Sequence, residues 1–384
     1  MSSFPILFTL IKIAYVAINL AGIVRLHVAL RGRNISRYVR NGACLLAVVL
    51  SLCFPLARLI ESHGFWARAV TFAGMFWFVF MFHALMAWGA LGVFRLFNRR
   101  FGWFKIAPEA REQWRHRCCA GIVCAALLVC LGGAINMQFP VVREVKLPAP
   151  AGAGPLRIVA LSDLHLGRLA GTRFLSGVAD LIEPLKPDIV VFLGDILEYD
   201  FDPSEIEADA AVLRRLNPRL GIWGVMGNHE HIGEKGKLNM RYLNEMGIRM
   251  LADQWTVLEE VWGRHADGGK ILLIGQQDRY AWQNPLEKTL ANAPKDAALK
   301  LLLVHQPFNL WEAEKAGINL QLSGHTHNGQ FFPLNFAAKI LFENPYGHSM
   351  RGQTHYWVTS GIGTWGQRIR TSNRPEIVQI DLVP

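Results

Sequence analysis

Five short apolar runs in the second half of this chain each lead into residues able to bind a metal, and that pattern narrows the folds open to it. The runs are 158–161, 189–193, 222–225, 301–304 and 320–322. At or just after their ends stand Asp163-x-His165, Gly194-Asp195, Gly227-Asn228-His229-Glu230, His305 and Gly324-His325-x-His327. Short unbroken apolar runs of this kind read as strands buried on both faces. Side chains just past the ends of parallel strands converge on one sheet edge, where α/β proteins bind their ligands. Carboxylate and amide oxygens and several imidazoles therefore reach one place from distant parts of the sequence. A mixed oxygen and nitrogen set suits Mn, Fe or Zn rather than calcium or a thiolate-bound metal.

Between the runs, 172–185, 204–216, 238–246 and 285–293 read as helices with Pro or Gly near their ends, and 270–274, 356–359 and 377–382 read as further strands. The alternation predicts a layered α/β core. Two metals held a few ångströms apart need a bridging carboxylate to offset their repulsion, and Asp195, alone after a strand and a glycine, is the best placed for it.

Taken in order, the five motifs resemble those of the calcineurin-like metallophosphoesterases, over roughly residues 157–383. Asn328-Gly329-Gln330 and the stretch Ser360-Gly-Ile-Gly-Thr-Trp-Gly366 are similar to the membrane-associated bacterial branch of that family. Glu230 stands where many members carry Asp; the position is not a direct ligand in the family. The resemblance implies a four-layer sandwich, two β-sheets flanked by helices, with two divalent metal ions at the sheet edge. It implies that Asp163, His165, Asp195 and His327 hold the first metal and Asp195, Asn228, His305 and His325 the second. A hydroxide bridging the pair would then attack phosphorus in line, while the metals draw charge from the phosphoryl oxygens. His229, adjacent to Asn228 at a turn, is assigned to phosphate contact and to protonation of the leaving oxygen. With Asp195 and Asn228 it makes up the expected catalytic set, and Arg168 is a second candidate for substrate contact. His231, His265, His348 and His355 match no ligand position and read as surface or supporting residues. Ser162 lacks the Gly-x-Ser-x-Gly context of a nucleophile and reads as a strand end.

Charge is unevenly placed. Residues 1–144 carry 16 Lys+Arg against 4 Asp+Glu, net +12, and residues 145–384 carry 24 against 26, net −2. A duplex-binding enzyme would show a basic footprint in its catalytic half, so no nucleic-acid partner is expected. The first half instead holds four apolar stretches, 5–30, 43–60, 69–97 and 118–137, each near bilayer-spanning length. Pro55 and Arg58 shorten the second, and Lys12 lies close enough to the helix end to snorkel. The first stretch has too long an apolar core for a cleaved signal peptide. All six cysteines fall in this half without zinc-site spacing and read as small apolar helix residues.

Arg31, Arg33, Arg37 and Arg40 fill the first loop, and Arg99, Arg100, Lys105, Arg111, Arg115 and Arg117 the third. The positive-inside rule puts both loops in the cytoplasm and the catalytic half on the periplasmic or extracellular face of a bacterial inner membrane. Few ionisable residues lie inside the apolar stretches, which favours anchoring over transport. The expected organisation is an α-helical transmembrane domain over 1–144, a Pro/Gly/Ala-rich linker over 145–155 and a metallophosphoesterase domain over 156–384.

The expected function is hydrolysis of a phosphate mono- or diester, with a lipid or envelope component among the substrates. The apolar, aromatic segment 330–342, directly after the last metal motif, is the candidate lipid-facing surface. A narrower alternative is pyrophosphate hydrolysis of a UDP-linked diacyl sugar, a cytoplasmic substrate that the topology disfavours. An alternative of another class is a membrane protein whose domain only binds or senses.

Overall fold

The computed structural model describes residues 3–32, 35–259, 269–281 and 283–384, with residues 3–12 and 259 described by backbone alone. The Lys12 side chain, Arg33 and His265 lie outside the described residues. The chain divides into two compact units, Met1–Ala134 and Ile135–Pro384.

The first unit is helical: α1 (Ser3–Ala29), α2 (Arg37–Ala57), α3 (Phe65–Phe101) and α4 (Arg111–Asn136), the last of which runs into the second unit. Three spans, Arg37–Ala57, Phe65–Phe101 and Pro108–Asn136, are long and apolar enough to cross a membrane, and Ile13–Ala29 is a shorter apolar helix. Pro55 falls in the last turn of α2, so its missing N–H leaves most of the helix intact. At 37 residues α3 is about 55 Å long, well beyond a hydrocarbon core of about 30 Å, and its end carries Arg95, Arg99 and Arg100. Large apolar side chains such as Leu20, Leu45, Leu52, Phe72 and Leu128 face outward, as a lipid solvent requires. Gly74 lets α3 approach α2 closely; a Cβ there would run into the backbone of Cys53 and Phe54. Two polar contacts join helices inside this unit: Trp77 Nε1 donates to Asn19 Oδ1 (2.8 Å) and the Tyr15 hydroxyl to the Ser51 carbonyl (2.6 Å). The six cysteines are free thiols, all on α2 and α4.

The second unit holds two six-stranded sheets. The first has the order β1 (Val141–Pro148), β12 (Glu376–Val383), β2 (Leu156–Leu161), β3 (Ile189–Leu193), β4 (Ile222–Val225), β5 (Arg249–Met250). The second has the order β10 (Gly347–Arg351), β11 (Thr354–Val358), β9 (Leu320–Ser323), β8 (Leu299–Leu303), β7 (Lys270–Gly275), β6 (Gln254–Glu259). Strands β2 to β5 are mutually parallel, as are β7, β8, β9 and β11. Alternation along each strand explains the layers. Ile158 and Ala160 of β2 point at Leu301 and Leu303 of β8 in the core between the sheets, which also holds Trp223 and Trp357. Val159 and Leu161 point the other way, onto α5 (Thr172–Ile182), α6 (Ile206–Arg214) and α8 (Gly236–Glu245). Leu272, Ile274 and Leu302 pack outward on α9 (Leu286–Thr289) and α10 (Leu310–Lys315). Strands sandwiched on both faces have no polar alternation, which is why they read as unbroken apolar runs.

Two differences from the expected organisation stand out. The linker predicted over 145–155 is shortened at its start: Val141–Pro148 is a strand paired in parallel along β12, from Val141↔Glu376 to Pro148↔Val383. The second unit accordingly begins at Ile135, not after 144. The helix expected over 285–293 contracts to the single turn of α9.

Candidate metal centre

Every metal motif lies just past the C-terminal end of a parallel strand, and the turns there are sharp. Asp163 (φ 57), His165 (φ 51), Asp195 (φ 50), His325 (φ 70) and His327 (φ 47) all sit in the left-handed region, which L-residues occupy at a cost and which clusters at functional sites. Gly194 (φ 86) precedes Asp195 because nothing larger fits: a Cβ would lie 2.6 Å from His305 Nδ1 and 2.7 Å from Gly227 N.

These turns bring the predicted ligands together in two overlapping groups. His327 Nε2 lies 3.2 Å from Asp163 Oδ1 and 3.3 Å from His165 Nε2, and His165 Nε2 lies 4.0 Å from Asp195 Oδ2. On the other side His305 Nε2 lies 3.2 Å from the same Asp195 Oδ2, 3.3 Å from Asn228 Oδ1 and 3.1 Å from His325 Nδ1. Asp195 is thus shared between the groups. The donor set fits divalent cations on three observations. One donor atom each from Asp163, His165 and His327, and likewise from Asp195, His305 and His325, falls within 4.8 Å of its companions. Asp163 Oδ1 is buried and accepts no hydrogen bond of good geometry. And the far nitrogens of two rings are already engaged: His305 Nδ1 donates to the Leu193 carbonyl (2.7 Å), while His165 Nδ1 meets Glu198 Oε2 (3.1 Å). Such outer contacts aim Nε2 inward with its lone pair.

Burial and charge act against each other throughout the site. Burial raises Asp163 above the ordinary carboxylate value. Burial opposes ionisation of Asp195 too, yet His305 and His229 hold it well below that value. Burial followed by His305 pushes His325 down to about 3. For His229, burial is outweighed by Glu198 and Asp195, and its pKa rises to about 10. His229 Nδ1 lies 3.0 Å from Glu198 Oε1, its backbone N–H donates to Asp195 Oδ1 (2.9 Å), and its side chain is 21% exposed beside the buried ligands. The Glu198 and Asp195 carboxylates thus favour the charged ring at a partly exposed position beside the cluster.

Arg168 is buried with Nη1 3.7 Å from Asp200 Oδ2, an ion-pair setting. Ser162 donates to the Leu193 carbonyl (3.2 Å), as a strand-end residue would. His348 and His355 face each other at 3.0 Å across the β10–β11 hairpin.

Two residues that sequence reasoning passed over, Glu198 and Arg370, and one that it discounted, Glu230, support the site. Glu198 touches both His165 and His229; its place three residues after Asp195 was the available signal. Glu230, fully buried, accepts from the N–H groups of Asp195 (3.1 Å), Leu197 (2.8 Å) and Gly227 (2.6 Å), so it clamps two metal-motif turns together. Arg370, also buried, places Nη2 3.2 Å from His327 Nδ1 and donates to the carbonyls of Ser360 and Gly363.

The profile of the calcineurin-like phosphoesterases matches residues 156–329. A transmembrane protein with metallophosphoesterase domain from Danio rerio is 30% identical, covering 88% of this chain and 78% of its own length. Its counterpart from Bos taurus is 29% identical over 88% and 79%. An uncharacterized metallophosphoesterase of Bacillus subtilis is 31% identical over 61% of this chain and 81% of that one. Relatives thus occur in vertebrates as well as bacteria, which widens the bacterial branch suggested by the motifs. With its apolar helices and its transmembrane relatives, the chain is a membrane protein, and it belongs to the calcineurin-like metallophosphoesterase family.

Proposed function

We propose that the chain is a membrane-anchored phosphoesterase that hydrolyses a phosphate mono- or diester with two divalent cations, Mn, Zn or Fe. The observation that carries this reading is the convergence of seven donor residues, Asp195 shared among them, with His229 held at their edge by Glu198. Asp163, His165, Asp195 and His327 would hold one cation, and Asp195, Asn228, His305 and His325 the other. When bound, the cations supply Lewis acidity toward the phosphoryl oxygens and lower the pKa of water. His229 contacts the phosphate and gives its Nε2 proton to the departing oxygen, while Glu198 keeps the ring charged and oriented. By the positive-inside rule the apolar helices form a multi-pass anchor, with the catalytic unit on the periplasmic or extracellular face of an inner membrane.

A lipid-linked substrate is part of the same proposal, supported by α11 (Leu334–Leu341). Phe336, Ile340 and Leu341 are exposed, as is Phe332 just before the helix, whereas Ala338 is buried. Phe342 faces His325 at 5.9 Å between ring centroids, so the exposed apolar face runs up to the metal cluster. Such a face suits a substrate presented from a lipid surface.

The test is hydrolysis of p-nitrophenyl phosphate and bis-p-nitrophenyl phosphate by the full chain in detergent, stripped of metal and refilled with Mn, Zn or Mg. Activity that returns with metal and is lost in Asp195→Asn and His229→Ala supports the reading. Activity indifferent to both substitutions overturns it.

A further inference from the structure

The second unit contains a cavity of about 670 Å³ whose first wall is Met137–Pro140, the residues that follow α4 directly. An extended chain advances at most about 3.6 Å per residue, so Pro140 lies within about 14 Å of the end of that helix. Asn136 fastens the helix end to the chain segment between the lining residues Arg368 and Arg374, donating to the carbonyls of Arg370 (3.0 Å) and Asn373 (2.7 Å). Arg173, Arg368 and Arg374 line the cavity with apolar Phe139, Phe174 and Leu181, and no Asp or Glu is among the described lining residues. The Arg368 guanidinium stacks 4.0 Å over the Phe174 ring. Burial lowers its pKa without an opposing carboxylate. Arg374 spends Nε and Nη2 on the Phe139 carbonyl (3.0 and 2.6 Å), which leaves Nη1 for a ligand. A half-buried guanidinium stacked on an aromatic ring, two further arginines and an apolar wall have the chemistry of an anion receptor with an apolar flank.

We propose that this cavity binds the phosphate headgroup of an anionic membrane lipid. The three arginines take the phosphate, and Phe139 and Leu181 cover the start of the apolar tail, which a free phosphate would leave bare. The inference rests on α4 crossing the bilayer and is independent of the phosphoesterase reading, so each can fail without the other.

The probe is phosphatidylglycerol, titrated into phosphatidylcholine nanodiscs that hold the full chain, with bound lipid counted by native mass spectrometry. Wild type should retain phosphatidylglycerol saturably over phosphatidylcholine. Each arginine removed should weaken this about five-fold, hence about 25-fold for R173Q/R368Q. R368K, which keeps the charge but loses the planar stack on Phe174, should fall between wild type and R368Q, and K300Q/K315Q, which line a different cavity, should match wild type. Undiminished binding by R173Q/R368Q, or equal loss in K300Q/K315Q, overturns the site. Displacement of the lipid by glycerol 3-phosphate at equal concentration overturns the lipid source. Should R173Q/R368Q not fold, absence of any phosphatidylglycerol preference in wild type would be decisive against the proposal.

Discussion

Replacing Glu198 by Gln separates proton donation from metal binding. The carboxylate lies 3.0 Å from His229 Nδ1 and 3.1 Å from His165 Nδ1. At an effective dielectric of about 20, a unit charge at about 4 Å is worth about 4 kcal/mol, enough to move an imidazole pKa by about 3. That matches in size the rise of His229 from 6.5 to about 10. Glutamine keeps the shape and removes the charge, so His229 returns toward its ordinary value. Because the proton donor must be protonated, activity is present below its pKa and lost as pH rises through it. Glu198→Gln therefore shifts the alkaline limb of the pH profile downward by about 2 to 3 pH units. Bound cations neutralise Asp195 in both proteins, so the displacement between them is the observable, not the absolute position. The loss should reach about 100-fold on alkyl phosphate esters, whose leaving oxygen needs a proton, and be far smaller on p-nitrophenyl esters. Metal affinity should change far less, because the glutamine amide oxygen still accepts from His165 Nδ1. Kinetics on both ester classes at saturating metal decide the matter. An unmoved alkaline limb, or equal losses on both leaving groups, refutes the assignment of His229 as donor.

Other consequences follow from the same geometry. Glu230→Ala strands three buried N–H groups at about 1 kcal/mol or more each, so the second unit should melt about 6 °C lower or more; a shift under about 2 °C would remove the clamp role. Burial lowers His305, but Asp195 and Asp163 raise it to about 10. A cation on Nε2 must then displace a proton, and apparent metal affinity should rise about tenfold per pH unit below that value, in calorimetric titrations one unit apart; a flat dependence contradicts it. Phe336→Ser with Ile340→Ser should depress turnover of a lipid phosphoester several-fold while sparing p-nitrophenyl phosphate, and parallel losses would reject a lipid-facing α11. Phe342 is left intact in that variant because it packs on Phe308 (5.0 Å) and His325.

The strands that carry the site were readable because both of their faces are buried: Ile189–Leu193 is five buried residues in a row. Strand β1 was not, since it is an edge strand whose outward Arg143 and Glu144 and half-buried Val145 resemble a linker. The ligands were legible because each stands beside its strand. Glu230 was seen but discounted, because sequence shows a residue's neighbours in the chain and not the three backbone N–H groups that close around its carboxylate. The segment 330–342 was legible as a lipid-facing candidate, but an apolar run suits a core equally well, and only the surrounding packing shows Phe336 and Ile340 exposed.

Arg370 shows most clearly what lay beyond the sequence. It sits 43 residues from His327, in no motif, yet its buried guanidinium joins His327 Nδ1 to the carbonyls of Ser360 and Gly363 and to Asn373 Oδ1 (2.5 Å). Asn373 in turn donates to the His327 carbonyl (2.7 Å), and Asn136 donates to the carbonyls of Arg370 and Asn373. The end of the last apolar helix and a metal-motif histidine are therefore held by one loop. Thr371 extends it to the entrance of α11: its hydroxyl accepts from Phe332 N (2.9 Å), and its own N–H donates to the Gln330 carbonyl (3.0 Å). The end of α4, the metal cluster and the entrance of α11 therefore share one set of hydrogen bonds, so a change at Arg370 or Asn373 should be felt at all three.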